Sequence, residues 1–358
     1  MQLFCANDCI NPIPVKVTIQ DLAAQLNLTT ATVSRALNNH PRISDNTKKI
    51  VTELAEKLNY RRNRIASSLR SGKTHTIGVI IPSAEINFFG SVVHGIESIA
   101  NTSGYNILLY QSNEATEYEK KAIETFMDVR VDGVLASIAK ETQDVSHYLE
   151  LKKKGIPLVF FDRSKDMVNV PSVIVDDFKG GYIATEHLLQ QGYRRIAHIT
   201  GPLHLKIFND RLNGYKSALH AAGLAVDESL IYTGNVSIAA GKSAMEYFFS
   251  MEEPPDGIFA VEDFTALGVI KAAKEKNIAI PGQLGVIGFA NESFDEHITP
   301  SLSSIDQQTV LMGKEAFKLL LDLIYEKEEL TLKKVNVVLE PVARFRQSSI
   351  KQIVQSTL

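Results

Sequence analysis

The chain has 358 residues, 44% of them apolar and 22% charged. At about 150 residues per domain that allows two or three domains, and it is too apolar for disorder. No apolar run approaches the roughly 18 residues of a membrane span and no basic-then-apolar leader opens the chain, so the sequence reads as a cytoplasmic protein without a membrane partner. The two cysteines, Cys5 and Cys9, lie with Pro12 and Pro14 in an aperiodic stretch. They exclude a disulfide framework and a four-ligand zinc site, and 1–15 reads as an unstructured tail. The formal charge of −3 hides an asymmetry. Between Lys16 and Lys73, eleven Lys or Arg stand against four acids, a segment of +7 that leaves −10 for the remainder. A basic module on an acidic body is the footprint of a nucleic-acid-binding head, although charge alone also fits a basic surface with no partner.

The first elements lie in that module. Thr18 three residues before Asp21 predicts a capped helix start, with Ile19, Leu22, Ala23 and Leu26 on one face. Asn27 suits the left-handed conformation of a tight turn. A second helix is expected from Thr29, with Val33 and Leu37 inward and Thr30, Ala31, Ser34, Arg35 and Asn38 outward. A third, starting near Ser44, carries Ile50, Leu54 and Leu58. Two short helices across a three- to four-residue turn, braced by a third, make a helix-turn-helix over 16–62. Residues 63–74 then read as a hinge helix and linker. Residues 63–70 span only about two turns, too short to be stable alone, so their order must come from a partner. A plain interdomain linker is the other reading of that stretch.

From Thr76 the pattern changes. Strand-like runs at Ile77–Ile81, Tyr105–Leu109, Gly133–Ala136 and Ile156–Phe161 are followed by a second series at Arg195–Ile199, Leu230–Tyr232, Gly257–Val261 and Leu284–Gly288. Helical patterns at 88–102, 181–191, 212–222 and 267–276 fall between them. Such alternation predicts parallel sheets with helices on both faces, and two series predict two lobes. Ligands of such sheets bind beyond the carboxyl ends of the strands, in the crevice between lobes.

Four blocks in order, Val17-Thr18-Ile19-Gln20-Asp21-Leu22-Ala23, Thr32 to Asn38, Leu58-Asn59-Tyr60-Arg61 and Asn63 to Leu69, resemble the DNA-binding domain and hinge of the lactose-repressor (LacI/GalR) family. The body resembles that family's periplasmic-binding-protein-like effector domain over 75–346, through blocks such as Asn87-Phe88-Phe89, Phe161-Asp162-Arg163 and Arg211-Leu212-Asn213-Gly214-Tyr215. Residues 347–358 read as a C-terminal tail. The resemblance implies a sequence-specific DNA-binding regulator, a repressor or an activator by operator position, acting as a nucleoid-associated homodimer on palindromic double-stranded DNA. It places Thr18, Thr29, Thr30, Ala31, Ser34, Arg35, Asn38, Tyr60, Asn63, Arg64 and Ala66 against DNA and Leu69 as a wedge in a central base step.

It also implies a small-molecule effector, a sugar or sugar derivative, lined by Phe88, Phe89, Asp162, Arg211, Glu262 and Asp263. An Arg fork and carboxylates grip adjacent hydroxyls while an aromatic face covers a sugar ring. Ala290 stands where many sugar-responsive members carry Asp, Val236 where several carry an aromatic, and Leu205 and Ile207 where purine-responsive members carry polar groups. A structural salt bridge for Arg211 and ordinary core for Phe88 and Phe89 are the competing readings, as is a binding module for a metabolite other than a sugar. Gly241-Lys242-Ser243 lacks the upstream glycine of a phosphate loop, and neither HExxH nor Gly-x-Ser-x-Gly occurs. No catalytic residue, metal or cofactor is expected, and His198 reads as a satisfied core group.

Overall fold

A computed structural model describes residues 17–60, 72–165, 170–325 and 336–351. The chain divides into two units, Met1–Thr74 and His75–Leu358. The expected tail 1–15 and the hinge residues Asn63, Arg64, Ala66 and Leu69 lie outside the described residues.

In the first unit, α1 (Ile19–Gln25), α2 (Thr30–Leu37) and α3 (Asp45–Lys57) enclose a small core of Leu22, Ala23, Val33, Ala36, Val51 and Ala55. Each helix starts on a hydroxyl cap: Thr18, Thr29 and Ser44 accept the N–H of Asp21, Thr32 and Thr47 at 3.3, 3.1 and 3.2 Å. Asp21 closes a capping box by accepting the N–H of Thr18 at 2.7 Å. Those bonds hold its carboxyl below the usual range. Asn27 takes the expected left-handed turn, φ 52°. The face of α3 differs from the sequence reading. Ile50 is exposed at 43%, whereas Val51 and Ala55 are buried and Leu54 and Leu58 half-buried. The α3 stripe that meets α1 and α2 is therefore rotated by one position.

The second unit holds two six-stranded sheets. In chain order its elements are β1 (Thr76–Ile81), α4 (Asn87–Thr102), β2 (Asn106–Gln111), α5 (Thr116–Asp128), β3 (Gly133–Ala136), α6 (Ser146–Lys153), β4 (Leu158–Phe161), β5 (Ser172–Val175), α7 (Asp177–Gln190), β6 (Ile196–Thr200), α8 (Lys206–Ala221), β7 (Ile231–Thr233), α9 (Ile238–Phe248), β8 (Gly257–Ala260), α10 (Asp263–Glu275), β9 (Gly285–Ala290), β10 (Ser303–Asp306), α11 (Thr309–Tyr325), β11 (Asn336–Leu339) and β12 (Val342–Arg344). The sheet orders are β11-β5-β4-β3-β1-β2 and β12-β10-β9-β8-β6-β7. All pairings are parallel except β12 on β10. The inner strands are buried on both faces, as parallel sheets between helix layers require.

The chain passes between lobes three times: from β5 into α7, from β10 into α11, which packs on α4, and from β11 into β12. The crossings are bonded to one another. The N–H of Asp176 donates to the carbonyl of Leu339 at 3.0 Å and Gln308 Nε2 to that of Glu340 at 2.7 Å. The segment read as a tail from 347 is packed as far as Lys351. Ser348 and Ser349 are fully buried, and Ser348 Oγ donates to the carbonyl of Val286 at 2.6 Å.

The phosphate-loop look-alike at Gly241 lies inside α9, where a Cβ would meet the carbonyl of Thr265 in α10, so that glycine serves helix packing. His198 is buried, donates from Nδ1 to the Phe259 carbonyl at 2.9 Å, and is flanked by the Tyr215 and Phe259 rings. Burial pushes its imidazole down to about 3, which keeps it neutral.

Candidate functional site

On the head, the turn of residues 26–29 sets α2 after α1, and the side chains of α2 divide by face. Val33 and Ala36 are buried, while Thr29, Thr30, Ala31, Arg35 and Asn38 are exposed and Ser34 is half-buried. Thr29 is occupied as a cap, and Asn38 Nδ2 donates to the Ser34 carbonyl at 2.7 Å. The small exposed side chains at 30 and 31 leave the amino end of α2 narrow, with Arg35 one turn on. That shape suits a helix entering the major groove, its short side chains near base edges and its cation within reach of a phosphate or guanine. Thr18 is exposed and Tyr60 half-buried at the edges of the same unit.

In the second unit a cavity of about 450 Å³ lies between the lobes, at the carboxyl ends of the strands. Phe88 and Phe89 reach it because α4 begins directly after the β1 loop, and the two rings meet edge to face at 5.0 Å. Asp162 follows β4 with φ at 58°, and its buried carboxyl accepts from Ser137 Oγ at 3.3 Å. Burial pushes that carboxyl up. Glu262 caps α10 by accepting the N–H of Phe264 at 3.2 Å. Burial first, then the charges of Asp263 and Glu292, push it up to about 8. Near neutral pH Glu262 therefore holds or shares a proton, and a carboxyl that can donate as well as accept suits a hydroxylated ligand.

Arg211 is buried in α8. Its Nε donates to Asp177 at 2.8 Å, its Nη1 to the Val261 carbonyl at 2.7 Å, and its guanidinium lies 3.6 Å from the Phe289 ring centroid. The residue is held in a structural ion pair and also lines the cavity. Nη2 has no hydrogen bond to a described residue, so it is the nitrogen available to a ligand. Gly181 in α7 makes this possible. A Cβ there would collide with the carbonyl of Arg211, so only glycine lets α8 approach the end of α7 that carries Asp177.

Asp263 stands apart from the other five expected residues. It does not line the cavity; its carboxylate accepts from Ser304 Oγ at 2.7 Å and from the N–H of Glu292 at 3.0 Å. It is fully buried beneath the β9–β10 ends, where burial first and then the charge of Asp263 push the neighbouring Asp295 carboxyl up to about 10. Of the noted departures, Val236, Ile207 and Ala290 do line the cavity, and Leu205 faces a neighbouring one.

Sequence reasoning missed Lys140, Arg163, Phe208, Phe264 and Gln307, all in the lining. Arg163 donates to Glu114 at 2.7 Å and Lys140 stands 3.6 Å from the same carboxylate, so Glu114 fixes both cations from outside. Arg163 adjoins Asp162 in a quoted block, and Lys140 and Gln307 follow the ends of β3 and β10. The rule that places ligands at strand ends would have found all three.

Comparison with known proteins agrees with this geometry. Residues 18–63 match the family of bacterial regulatory proteins, lacI family, and residues 74–344 match the periplasmic binding proteins and sugar binding domain of the LacI family. Catabolite control protein A of Priestia megaterium is 34% identical over 307 residues, covering 86% of this chain and 92% of that protein. Among solved structures, a transcriptional regulator CelR–cellobiose complex aligns with a TM-score of 0.71 at 27% identity, covering 93% of this chain and 99% of the other. A lac repressor dimer bound to operator and an anti-inducer aligns at 0.83 with 23% identity, over 94% and 99%, a likeness of fold. Among the described residues no helix is long and apolar enough to cross a membrane. A basic helix-turn-helix head, a two-lobed body with a cleft at its strand ends, and matches spanning both place the chain in the LacI family of DNA-binding bacterial transcription regulators.

Proposed function

We propose that this regulator is a repressor which, as a homodimer, holds an inverted-repeat operator under the control of a saccharide bound in the interlobe cleft. The observation that carries the reading is the pairing inside one cavity of the aromatic rings of Phe88 and Phe89 with an Arg211 nitrogen left open, the Asp162 carboxyl, and a Glu262 carboxyl able to donate and accept. Aromatic faces cover the apolar side of a sugar ring while the polar groups take its hydroxyls. The cellobiose complex of a relative supports the same ligand class.

On the DNA side, Thr29, Thr30, Ala31, Ser34, Arg35 and Asn38 read the major groove, with Thr18 and Tyr60 at the backbone. Asn63, Arg64, Ala66 and Leu69 make the hinge contacts to DNA. One recognition helix contacts too few bases for useful specificity, which is why two copies are needed. Selection from random duplexes tests this. An inverted repeat whose affinity falls steeply with salt is expected, and recovery of no common sequence would overturn the reading.

A further inference from the structure

Two loops face each other across the cleft, one from each lobe. Lys140 stands four residues beyond the end of β3, and His204 four residues beyond the end of β6. His204 Nε2 donates to the Lys140 carbonyl at 2.7 Å, a bond between residues 64 apart in the chain. The acceptor is a carbonyl, so the ring holds a hydrogen on Nε2 in this bond whatever its charge.

The place of this bond sets it apart from the other links between the lobes. The crossings, with Asp176 on Leu339 and Gln308 on Glu340, leave from β5, β10 and β11 at one edge of the two sheets. β6 lies three strands along from β10 in its sheet, and β3 two along from β5 in the other. At about 4.8 Å per strand His204 stands roughly 14 Å from the β10 crossing, so opening the lobes by about 10° would part its bond by a further ~2.4 Å and break it. The bonds at the crossings would barely lengthen.

We propose that His204 is a positioning residue for effector binding: its bond to Lys140 clasps the lobes together on the side away from the crossings and so sets how long an effector stays. The inference rests on the cleft being the effector site, and it holds for a ligand of any class.

Both ends of the clasp are firmly built. Behind Lys140, Glu114 accepts the Lys140 N–H at 2.8 Å, and the fully buried Glu119 accepts the N–H of Ala139 and the hydroxyl of Thr142, each at 2.6 Å. Those bonds hold the Lys140 carbonyl still. On the other side the N–H of Leu205 donates to the Pro202 carbonyl at 3.1 Å, and α8 starts at Lys206. Ile207, Phe208 and Arg211, all in the cavity wall, follow within that helix. The clasp therefore fixes the amino end of α8 against the loop that carries Lys140, and its release frees both walls together. His204 itself is exposed, so the core does not depend on it.

The test compares the full chain with its His204→Ala and His204→Gln variants, since Gln keeps an amide donor that can reach a carbonyl. Hydrogen exchange read by mass spectrometry, with no sugar added, should be faster in His204→Ala over residues 136–142 and 199–208. His204→Gln should exchange as the parent does, and all three should share one melting temperature. Glucose, galactose, fructose, cellobiose, maltose, lactose, sucrose and trehalose are then screened by calorimetry, and release of the tightest binder is followed by stopped-flow tyrosine fluorescence. His204→Ala should release it about three- to tenfold faster, the net worth of one hydrogen bond, with association changed less than about twofold. His204→Gln should restore most of the difference. Parent-like exchange or release in His204→Ala, a lowered melting temperature, or a Gln variant that behaves as the Ala variant does would overturn the clasp. If none of the eight sugars binds, the saccharide reading falls and the exchange result alone decides the clasp.

Discussion

Replacing Arg211 by Ala tests the polar centre of the effector unit most severely. The side chain makes two bonds, to Asp177 at 2.8 Å and to the Val261 carbonyl at 2.7 Å, and covers the Phe289 ring. Removing one member of a buried pair costs about 3–5 kcal/mol when the other stays charged. Asp177 can escape by taking a proton, because burial already pushes its carboxyl from 3.8 up to about 7 against the pull of Arg211. The penalty should therefore depend on pH. A carboxyl raised in the folded state holds a proton that the unfolded chain releases, so its contribution to stability falls as pH rises from 3.8 to the folded value. In the parent that fall ends near pH 7. Without Arg211 the folded value rises above 7, and the variant should lose a further roughly 1.4 kcal/mol per pH unit above neutrality. Urea unfolding at pH 5.5, 7 and 8, followed by circular dichroism, reads this. Asp162, Glu262 and His198 also feel Arg211, so the comparison needs Asp177→Asn in the Arg211→Ala background, which should remove the part due to Asp177. A penalty that is the same at all three pH values would refute the reasoning.

Three further outcomes follow from the same geometry. Gly181→Ala should force α7 and α8 apart, lowering stability by about 1–3 kcal/mol and weakening effector binding by displacing Arg211, as calorimetry and thermal melting would show. Parent-like values for both would mean that the close approach is not needed. Thr29→Ala removes the cap on α2 and should cost about 1 kcal/mol in the head, seen as an earlier first melting transition, with weaker operator binding. Leu69→Ala should reduce operator affinity and bend angle, measured by gel shift on circularly permuted fragments, and leave sugar affinity unchanged.

Legibility in the sequence followed the strength of local signals. The caps Thr18 and Thr29 and the turn at Asn27 were plain because each uses a residue type with one strong backbone preference. The face of α3 was not, since Ile50 and Val51 are adjacent and only the packing of Val51 against Leu22 and Val33 decides between them. Strands β1, β3, β4, β6, β8 and β9 announced themselves as short apolar runs, whereas β10 reads Ser-Ser-Ile-Asp and β12 Val-Ala-Arg, with no such run. The helices α7, α8 and α10 begin four or more residues before the apolar patterns, at Asp177, Lys206 and Asp263. Those polar first turns are the ends that face the cleft. Asp263 was expected in the cleft because its position matches one that lines effector pockets in the resembled family, but consecutive residues at a helix start point in different directions. Glu262 faces the cavity and Asp263 turns under β9.

The central claim is that sugar in the cleft and operator on the head are coupled, and linkage makes this directly measurable. If binding of one shifts the other by some factor, the reverse factor must be equal. Titrating the preferred sugar into the full-length protein, free and saturated with its selected operator, should give affinities differing by about 5- to 150-fold. Identical sugar affinities with and without operator would contradict the account.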